Sequence, residues 1–183
     1  MAWDEIIKKR FKYVGENVFI GQYCVFTNPS EVVLHDFCRI DPYCLVTTQL
    51  ELHGYNQICA GAVLSGGPSH KITLGKGAFI GYGSKLFCAS EDYSGKGAVG
   101  DFWFENEAEK GDIEFKEYSG IASDVMCFPG VTFPEGCCIG AKSLVMTKQH
   151  LTPWSVWWGI PLAFKATRQR PIIKIKDKWK SAQ

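Results

Sequence analysis

The sequence lacks several features that would place it in a simple class. No apolar run approaches the roughly 18 residues that a membrane-spanning helix needs. The first residues, MAWDEIIKKRFKYVG, lack the apolar segment and small-residue cleavage site of a secretory signal. The net charge of +1 over 183 residues gives no general attraction to nucleic acid. These absences favour one cytoplasmic domain that neither spans a membrane nor binds nucleic acid.

Metal-binding patterns are also missing. The eight cysteines include no CxxC pair, and the adjacent Cys137 and Cys138 do not have zinc-knuckle spacing. No two of the four histidines are closely spaced, although His35 and His53 lie 18 residues apart. A chain of this length does not need a disulfide framework. We therefore expect reduced cysteines and no metal site.

Apolar residues, by contrast, recur at every sixth position over most of the chain. Neither the 3.6-residue turn of a helix nor the two-residue period of a strand explains this spacing. Two small offsets, near 29–33 and 70–73, and one long break after Leu86 interrupt it. The residues at this spacing are Val14, Ile20, Phe26, Leu34, Ile40, Val46, Leu52, Ile58, Leu64, Leu74, Ile80, Leu86, Phe115, Ile121, Cys127, Phe133, Ile139, Val145, Leu151 and Trp157.

The fourth position after each apolar residue is small in nearly every repeat, as a tight interior corner requires. Leu50, Asn56 and Pro68 are the exceptions. Repeats of this kind predict a parallel β-helix with three short strands per coil and coils about 4.8 Å apart. The cysteines among the small residues are then buried side chains rather than ligands or redox groups. The small residues are Val18, Cys24, Cys38, Cys44, Ala62, Ala78, Ser84, Ser119, Val125, Val131, Cys137, Ser143 and Ser155.

The closing segment carries a more specific pattern, PGVTF-x5-IGAKSLV followed by PWSVWWGIPLAF. It resembles the PGV-x-I, IGAGSVV and P-x5-G-x-P-A signature of the hexapeptide-repeat acyltransferases, and the resemblance covers roughly residues 14–166. It implies a mainly β protein whose core is a left-handed parallel β-helix. The expected organisation is a short helix at 1–13, the β-helix at 14–164 with a loop excursion at about 87–114, and a basic C-terminal cap at 165–183.

The excursion after Leu86 is too long for an ordinary connection, and breaks of this length are usually functional. In the family that the chain resembles, such an excursion reaches over a cleft between neighbouring subunits of a trimer. The resemblance thus implies a homotrimer with the acceptor site beside this loop. Many sugar acetyltransferases of the family carry a histidine where the chain leaves the coil, in a context like Y-T-A-x-H. Here Glu91 stands at that position, and Asp92 follows it.

The missing histidine bears on the acceptor. A hydroxyl acceptor needs a general base whose pKa is near 7, and the pKa of an ordinary carboxylate is too low. An amine acceptor needs less help, because it is already partly deprotonated at neutral pH. A carboxylate at Glu91 or Asp92 can orient an ammonium group and accept its proton, which favours an amino-sugar acceptor. His70, in an irregular segment one coil before the loop, is the other candidate base. The alternatives are that the two carboxylates only cap the turn and that His70 is a surface residue in a bulge.

The resemblance also implies that acetyl-coenzyme A lies along the outside of the coils, with its pantetheine arm near the G-A-x-S and G-x-P segments. Basic side chains further on have the charge to meet its phosphates, unless this basic tail is simply solvated. Leu162 replaces the alanine that usually follows the proline. The positions concerned are Gly140, Ala141, Ser143, Lys148, Gly159, Pro161, Lys165 and Arg168.

The sequence therefore predicts an acetyl-CoA-dependent sugar acetyltransferase that N-acetylates an amino sugar on a nucleotide-sugar or glycan precursor. Two alternatives stay open. One is O-acetylation of a saccharide or other hydroxyl, favoured if His70 reaches the loop. The other is a non-catalytic β-helix scaffold, since a fold alone does not decide function.

Overall fold

The six-residue repeat folds into a solenoid of short strands. The computed structural model describes residues 3–91 and 109–170. A 3₁₀ turn at Pro29–Glu31 lies between the third and fourth strands. The elements in chain order are α1 (Trp3–Lys8), β1 (Tyr13–Val14), β2 (Phe19–Ile20), β3 (Val25–Phe26), β4 (Val32–Leu34), β5 (Arg39–Ile40), β6 (Leu45–Val46), β7 (Gln49–Leu52), β8 (Gln57–Ile58), β9 (Val63–Ser65), β10 (Lys71–Leu74), β11 (Phe79–Ile80), β12 (Lys85–Phe87), β13 (Ala89–Ser90), β14 (Glu109–Lys110), β15 (Ile113–Phe115), β16 (Gly120–Ile121), β17 (Met126–Cys127), β18 (Thr132–Phe133), β19 (Cys138–Ile139), β20 (Leu144–Val145), β21 (Ser155–Trp158) and β22 (Ala163–Thr167).

Three parallel sheets form the walls of the solenoid. Sheet A has the order β1-β4-β7-β10-β15-β18, and sheet C has the order β3-β6-β9-β12-β17-β20. Sheet B, of order β2-β5-β8-β11-β16-β19-β21-β22, is parallel except for its last pair. Successive strands pass from A to B to C, so each coil has three corners, which we call AB, BC and CA. The predicted fold class, a left-handed parallel β-helix, is confirmed.

The register stacks each apolar residue of the repeat on its counterpart one coil away. In sheet B, Ile20 pairs with Ile40, which pairs with Ile58, and the column continues to Ile139. In sheet A the column ends with Phe115 on Phe133, whose rings stack with centroids 4.2 Å apart. Burying each such side chain contributes about 1.5–3 kcal/mol, so the columns supply most of the favourable free energy of folding.

The small residues lie at buried corners, as the repeat predicts. Cys38, Cys44 and Cys137 are at most 1% exposed, and all eight cysteines are unbridged. Asn56, an exception in the sequence pattern, is also buried at a corner. Its amide nitrogen donates to the carbonyl oxygens of Gly75 (2.8 Å) and Ala78 (2.9 Å), and its oxygen accepts from the Gly54 N–H (2.9 Å). A polar residue is tolerated there because every hydrogen-bonding group is satisfied.

The ends of the solenoid differ from the repeat. Helix α1 is short, and Ile7 and Phe11 bury their side chains against the first coil. At the other end, β22 runs antiparallel to β21 and covers the edge of sheet B, as a solenoid cap should. The remainder of the predicted cap, 171–183, lies outside the described residues. No helix within 3–91 or 109–170 is long and apolar enough to cross a membrane.

Candidate functional site

The long excursion leaves and rejoins the solenoid at corner CA. Its two ends form an antiparallel ribbon in which Ala89 pairs with Lys110 and Ser90 with Glu109. Below the ribbon, the Gly111 N–H donates to the Cys88 carbonyl oxygen at 2.9 Å. We call residues 88–91 and 109–112 the excursion base. The tip of the loop, 92–108, lies outside the described residues, and with it the candidate Asp92.

His70 lies against the excursion base. Its Nδ1 is 3.5 Å from Oδ1 of Asp112, and its side chain is only 20% exposed. The same Asp112 oxygen accepts the Lys71 N–H at 3.0 Å, so the carboxylate is held beside the ring. The His70 carbonyl accepts hydrogen bonds from the Thr48 hydroxyl and from the Gln49 N–H. The irregular segment therefore holds the imidazole at the excursion base. His70 is not the exposed bulge residue that the alternative hypothesis expected.

Asp112 is a candidate site residue that the sequence did not indicate. It is the last residue before β15, and only the return of the excursion onto β10 brings it to His70. Glu91 follows β13 directly and is partly buried on the outgoing side of the same ribbon. The structure thus gathers two of the three predicted acid–base candidates, His70 and Glu91, around the excursion base.

A buried thiol lies beneath this cluster. Cys88 is fully buried, and burial raises its pKa to about 12. A Cβ on Gly66 would be 2.4 Å from the Cys88 Cβ, so only glycine lets the chain before His70 pass over it. A thiol this hard to ionise is a poor nucleophile, because the thiolate is the reactive form. Cys88 therefore has a packing role. Within the described ranges, no group of three or more His, Cys, Asp or Glu side chains is placed to hold a metal ion.

The glycine- and serine-containing signature positions come together at corner BC. The Ser143 hydroxyl donates to the Gly140 carbonyl at 2.7 Å and accepts the Gly159 N–H at 3.0 Å, which joins two successive coils. Ala141 and Pro161 are exposed beside them. The G-A-x-S and G-x-P segments therefore form one continuous surface. This surface and the excursion base lie at opposite edges of sheet C.

The three predicted basic residues are separated. Lys165 lies close to the corner-BC surface, with Nζ 5.4 Å from the centre of the Trp158 ring. Lys148 is exposed at corner CA. Arg168 stands at corner AB, where its guanidinium donates to the carbonyl oxygens of Tyr118 (2.9 Å) and Gly136 (3.1 Å). Of the three, Lys165 is nearest to the signature surface, and all three assignments stay predictions.

The chain is similar to known acyltransferases in sequence and in fold. No family model matches the chain. It is 26% identical over 185 residues to the dTDP-4-amino-4,6-dideoxy-D-glucose acyltransferase of Escherichia coli, an alignment that covers 97% of this chain and 94% of that protein. The chain is a homologue of that acyltransferase.

Solved structures extend the comparison. AntD, an N-acyltransferase from Bacillus cereus, superposes with a TM-score of 0.89 and 26% identity over all of this chain and 97% of that one, in a mutant complex with dTDP-4-amino-4,6-dideoxyglucose and coenzyme A. A second AntD structure, with dTDP and 3-hydroxybutyryl-CoA, gives the same TM-score. A maltose O-acetyltransferase from Clostridium difficile 630 has a TM-score of 0.61 at 15% identity over 91% of this chain and 75% of that one, which is a likeness of fold alone.

Proposed function

We propose that this protein is an acyl-CoA-dependent N-acyltransferase whose acceptor is a nucleotide-linked amino sugar. The observation that carries the proposal is the full-length similarity to AntD, whose structures hold both a dTDP-amino sugar and coenzyme A. The histidine and carboxylates around the excursion base supply the acid–base groups that such a transfer uses. A second candidate, O-acylation, has weaker support because the O-acetyltransferase neighbour shares only the fold.

In the proposed reaction the acceptor amine attacks the thioester carbonyl carbon. A carbon–nitrogen bond forms, the carbon–sulfur bond breaks, and coenzyme A leaves as the thiolate, which takes up a proton. His70 receives the proton that the attacking nitrogen loses. Asp112, next to Nδ1, favours the tautomer that carries the proton on that nitrogen, which leaves Nε2 as the acceptor. Before the attack, Glu91 and Asp92 orient the ammonium form of the acceptor and accept its first proton, because only the neutral amine has a lone pair with which to attack.

The acyl donor lies along corner BC of one subunit in this proposal, and the proposed trimer brings it to the excursion base of a neighbouring subunit. Backbone groups near Gly140 and Gly159 contact the pantetheine arm, and Lys165 meets a phosphate. Ser143 has a different role from the one that its place in the signature suggests. Its hydroxyl is already engaged with both neighbouring coils, so it shapes the surface rather than contacting the thioester. We propose acetyl-CoA as the donor and test a longer acyl group against it.

We also propose that the active protein is a homotrimer in the cytoplasm. Large apolar side chains are exposed on sheet C and corner BC, among them Tyr23, Val25, Tyr43, Tyr82 and Met126. Exposed apolar surface of this kind favours burial between subunits. Eight unbridged cysteines suit a reducing compartment. Sedimentation equilibrium tests the assembly, and a monomer at micromolar concentration would contradict it.

Release of free coenzyme A, followed with a thiol reagent, tests the activity. Acceptors are dTDP-4-amino-4,6-dideoxyglucose and its 4-hydroxyl counterpart, and donors are acetyl-CoA and 3-hydroxybutyryl-CoA. We expect release with the amino sugar, reduced about 100-fold or more in His70→Ala because a general base contributes that much. A no-acceptor blank corrects for the protein's own thiols.

His53→Ala is the matched control. Its Nε2 is 3.2 Å from Oε1 of Glu51, so it is a second histidine–carboxylate pair, but it lies on sheet A away from the loop. Its activity should equal that of the wild type. Release only with the hydroxyl acceptor would replace N-acylation by O-acylation. Failure to bind coenzyme A at all would leave the scaffold hypothesis. Full activity in His70→Ala together with loss in Glu91→Gln or Asp92→Asn would assign the base to a carboxylate.

A further inference from the structure

Thr48 is a buried polar residue that the mechanism above does not use. It lies on the inward side of corner CA and is 1% exposed. A hydroxyl in such a place costs free energy unless it is hydrogen-bonded, and a valine would fill the same volume without that cost. The Thr48 hydroxyl donates to the carbonyl oxygen of His70. It is therefore engaged with the candidate base itself.

The chain passes directly over this hydroxyl and shields it from water. A Cβ on Gly66 would be 3.3 Å from Thr48 Oγ1 and 2.4 Å from the Cys88 Cβ, so the backbone at Gly66 closes the space above both side chains. The buried Cys88 thiol is within hydrogen-bonding reach of the same hydroxyl. Because these neighbours exclude water, the bond from Thr48 to His70 is stronger than an exposed hydrogen bond would be.

The segment before β10 depends on such bonds because it belongs to no strand. Residues 66–70 join β9 to β10. The Thr48 hydroxyl and the Gln49 N–H (2.9 Å) both donate to the His70 carbonyl. The Gln49 amide nitrogen also donates to the Pro68 carbonyl at 2.6 Å, in a bond exposed to solvent. Two of these three bonds thus converge on His70.

The peptide between His70 and Lys71 is consequently held on both sides. Its carbonyl accepts from Thr48 and Gln49, and its N–H donates to Oδ1 of Asp112 at 3.0 Å. Fixing this peptide fixes the direction in which the His70 side chain leaves the backbone, and so the place of the imidazole beside Asp112. The two sides are unequal, because the Asp112 side chain is 66% exposed and Thr48 is buried. The buried side is the firmer anchor.

We propose that Thr48 is a positioning residue for the acyl transfer. It holds His70 at the distance and angle at which the imidazole accepts the proton of the acceptor amine. The inference rests on the proposed function, in which His70 is the base. Thr48 touches neither substrate, because it lies beneath the segment that carries His70. Its effect is on geometry, since a reacting group displaced by about 1 Å can lose up to about 100-fold in rate.

Exchange of the hydroxyl for a methyl group tests this role by coenzyme A release. Thr48→Val keeps the shape of the side chain and should lower kcat about tenfold or more, with the KM for acyl-CoA unchanged because the donor surface at corner BC is intact. Thr48→Ser keeps the hydroxyl and should retain most of the wild-type kcat. Ser119→Ala is the matched control, because this buried hydroxyl also donates to a backbone carbonyl, that of Lys116 at 2.7 Å, but at corner AB. It should lose stability in urea unfolding and keep its kcat.

Nuclear magnetic resonance of the histidine rings tests the geometry without turnover. The chain has four histidines, and in protein labelled with ¹⁵N-histidine the variant His70→Ala identifies the signals of His70. We expect the wild-type ring to carry its proton on Nδ1, next to Asp112. Thr48→Val should shift these signals toward a mixture of the two tautomers, and Thr48→Ser should not. Thr48→Ala, which adds no atoms to the corner, takes the place of Thr48→Val if that variant does not fold.

Wild-type kcat and unchanged His70 signals in the folded Thr48→Val protein would overturn the proposal. Equal losses of kcat in Thr48→Val and Thr48→Ser would do the same, because packing rather than the hydroxyl would then be responsible. An equal loss in Ser119→Ala would show that any buried hydroxyl matters as much. A protein that transfers no acyl group, but whose His70 signals change in Thr48→Val, would keep the anchoring of His70 by Thr48 and refute the proposed function.

Discussion

Raising the pH from 8 to 10 should sharply destabilise this protein, because its core holds thiols that ionise only after unfolding. Burial raises the pKa of Cys38 and of Cys137 to about 11, and that of Cys88 to about 12, from an ordinary thiol value of 9.0. The folded-state pKa is the higher one, so the stability that these thiols contribute is complete below pH 9 and is lost as the pH rises. Unfolding releases their protons above pH 9, which favours the unfolded chain.

The size of the effect follows from the shifts. At pH 10 each of the three thiols is still protonated in the folded protein and largely ionised in the unfolded one, which costs about 1.4 kcal/mol per thiol. These three thiols together cost roughly 4 kcal/mol, a large part of the 5–15 kcal/mol by which most domains are stable, and Cys127, whose pKa is also raised by burial, adds to this loss. Cys24 and Cys44 add little, since the hydrogen bond between them lowers the pKa of one and raises that of the other.

Urea unfolding at pH 8, 9 and 10, followed by tryptophan fluorescence, measures this loss. Cys38→Ala is the matched variant, because alanine already stands in the same column of corner AB as Ala78. The variant should be less stable than the wild type at pH 8, because it loses packing. Between pH 8 and 10, however, its free energy of unfolding should fall by about 1.4 kcal/mol less than that of the wild type. An identical pH dependence in wild type and variant would refute the assignment of Cys38 as a buried, protonated thiol. So would rapid reaction of most thiols with a reagent at pH 8.

Three further substitutions test particular contacts. Asp112→Asn should lower kcat/KM fivefold or less, because an ion pair this exposed is worth about 0–1 kcal/mol. This loss is far smaller than the one expected for His70→Ala. An equally large loss would indicate that the Asp112 carboxylate is itself the base. Asn56→Ala should cost about 3 kcal/mol in urea unfolding, about 1 kcal/mol for each of its three hydrogen bonds. Ser143→Ala should raise the KM for acyl-CoA several-fold with kcat unchanged, since it frees the Gly159 turn. A fall in kcat alone would place the hydroxyl at the thioester.

The solenoid could be predicted from the sequence because its interior obeys one local rule. Each coil repeats the same inward positions, so a spacing of six residues is enough to place Ile58 on Ile80 or Leu64 on Leu86. The two small offsets correspond to the 3₁₀ turn at Pro29–Glu31 and the irregular segment before β10. Neither disturbs the register of the coils that follow.

The contacts of the site are harder to predict because they depend on where the chain returns. Asp112 meets His70 only because the excursion rejoins the coil at β15, and the apolar period gives no signal within the break. Arg168 lies at corner AB because β22 runs antiparallel to β21. The six-residue spacing continues to Trp157 and gives no indication of this change of direction.

The division between fold and function in this chain has a geometric cause. Inward positions of a β-helix are filled by side chains of the neighbouring coils, so no cavity for a substrate can form there without breaking the columns. Outward positions and corners carry no such constraint, and the candidate groups lie on them: His70 and Asp112 at corner CA, and the signature glycines at corner BC. A substitution at an inward position such as Ile80 should therefore change stability with little effect on substrate affinity. A substitution at His70 should instead lower turnover with little effect on stability, and comparing the two by urea unfolding and coenzyme A release separates the fold from the site.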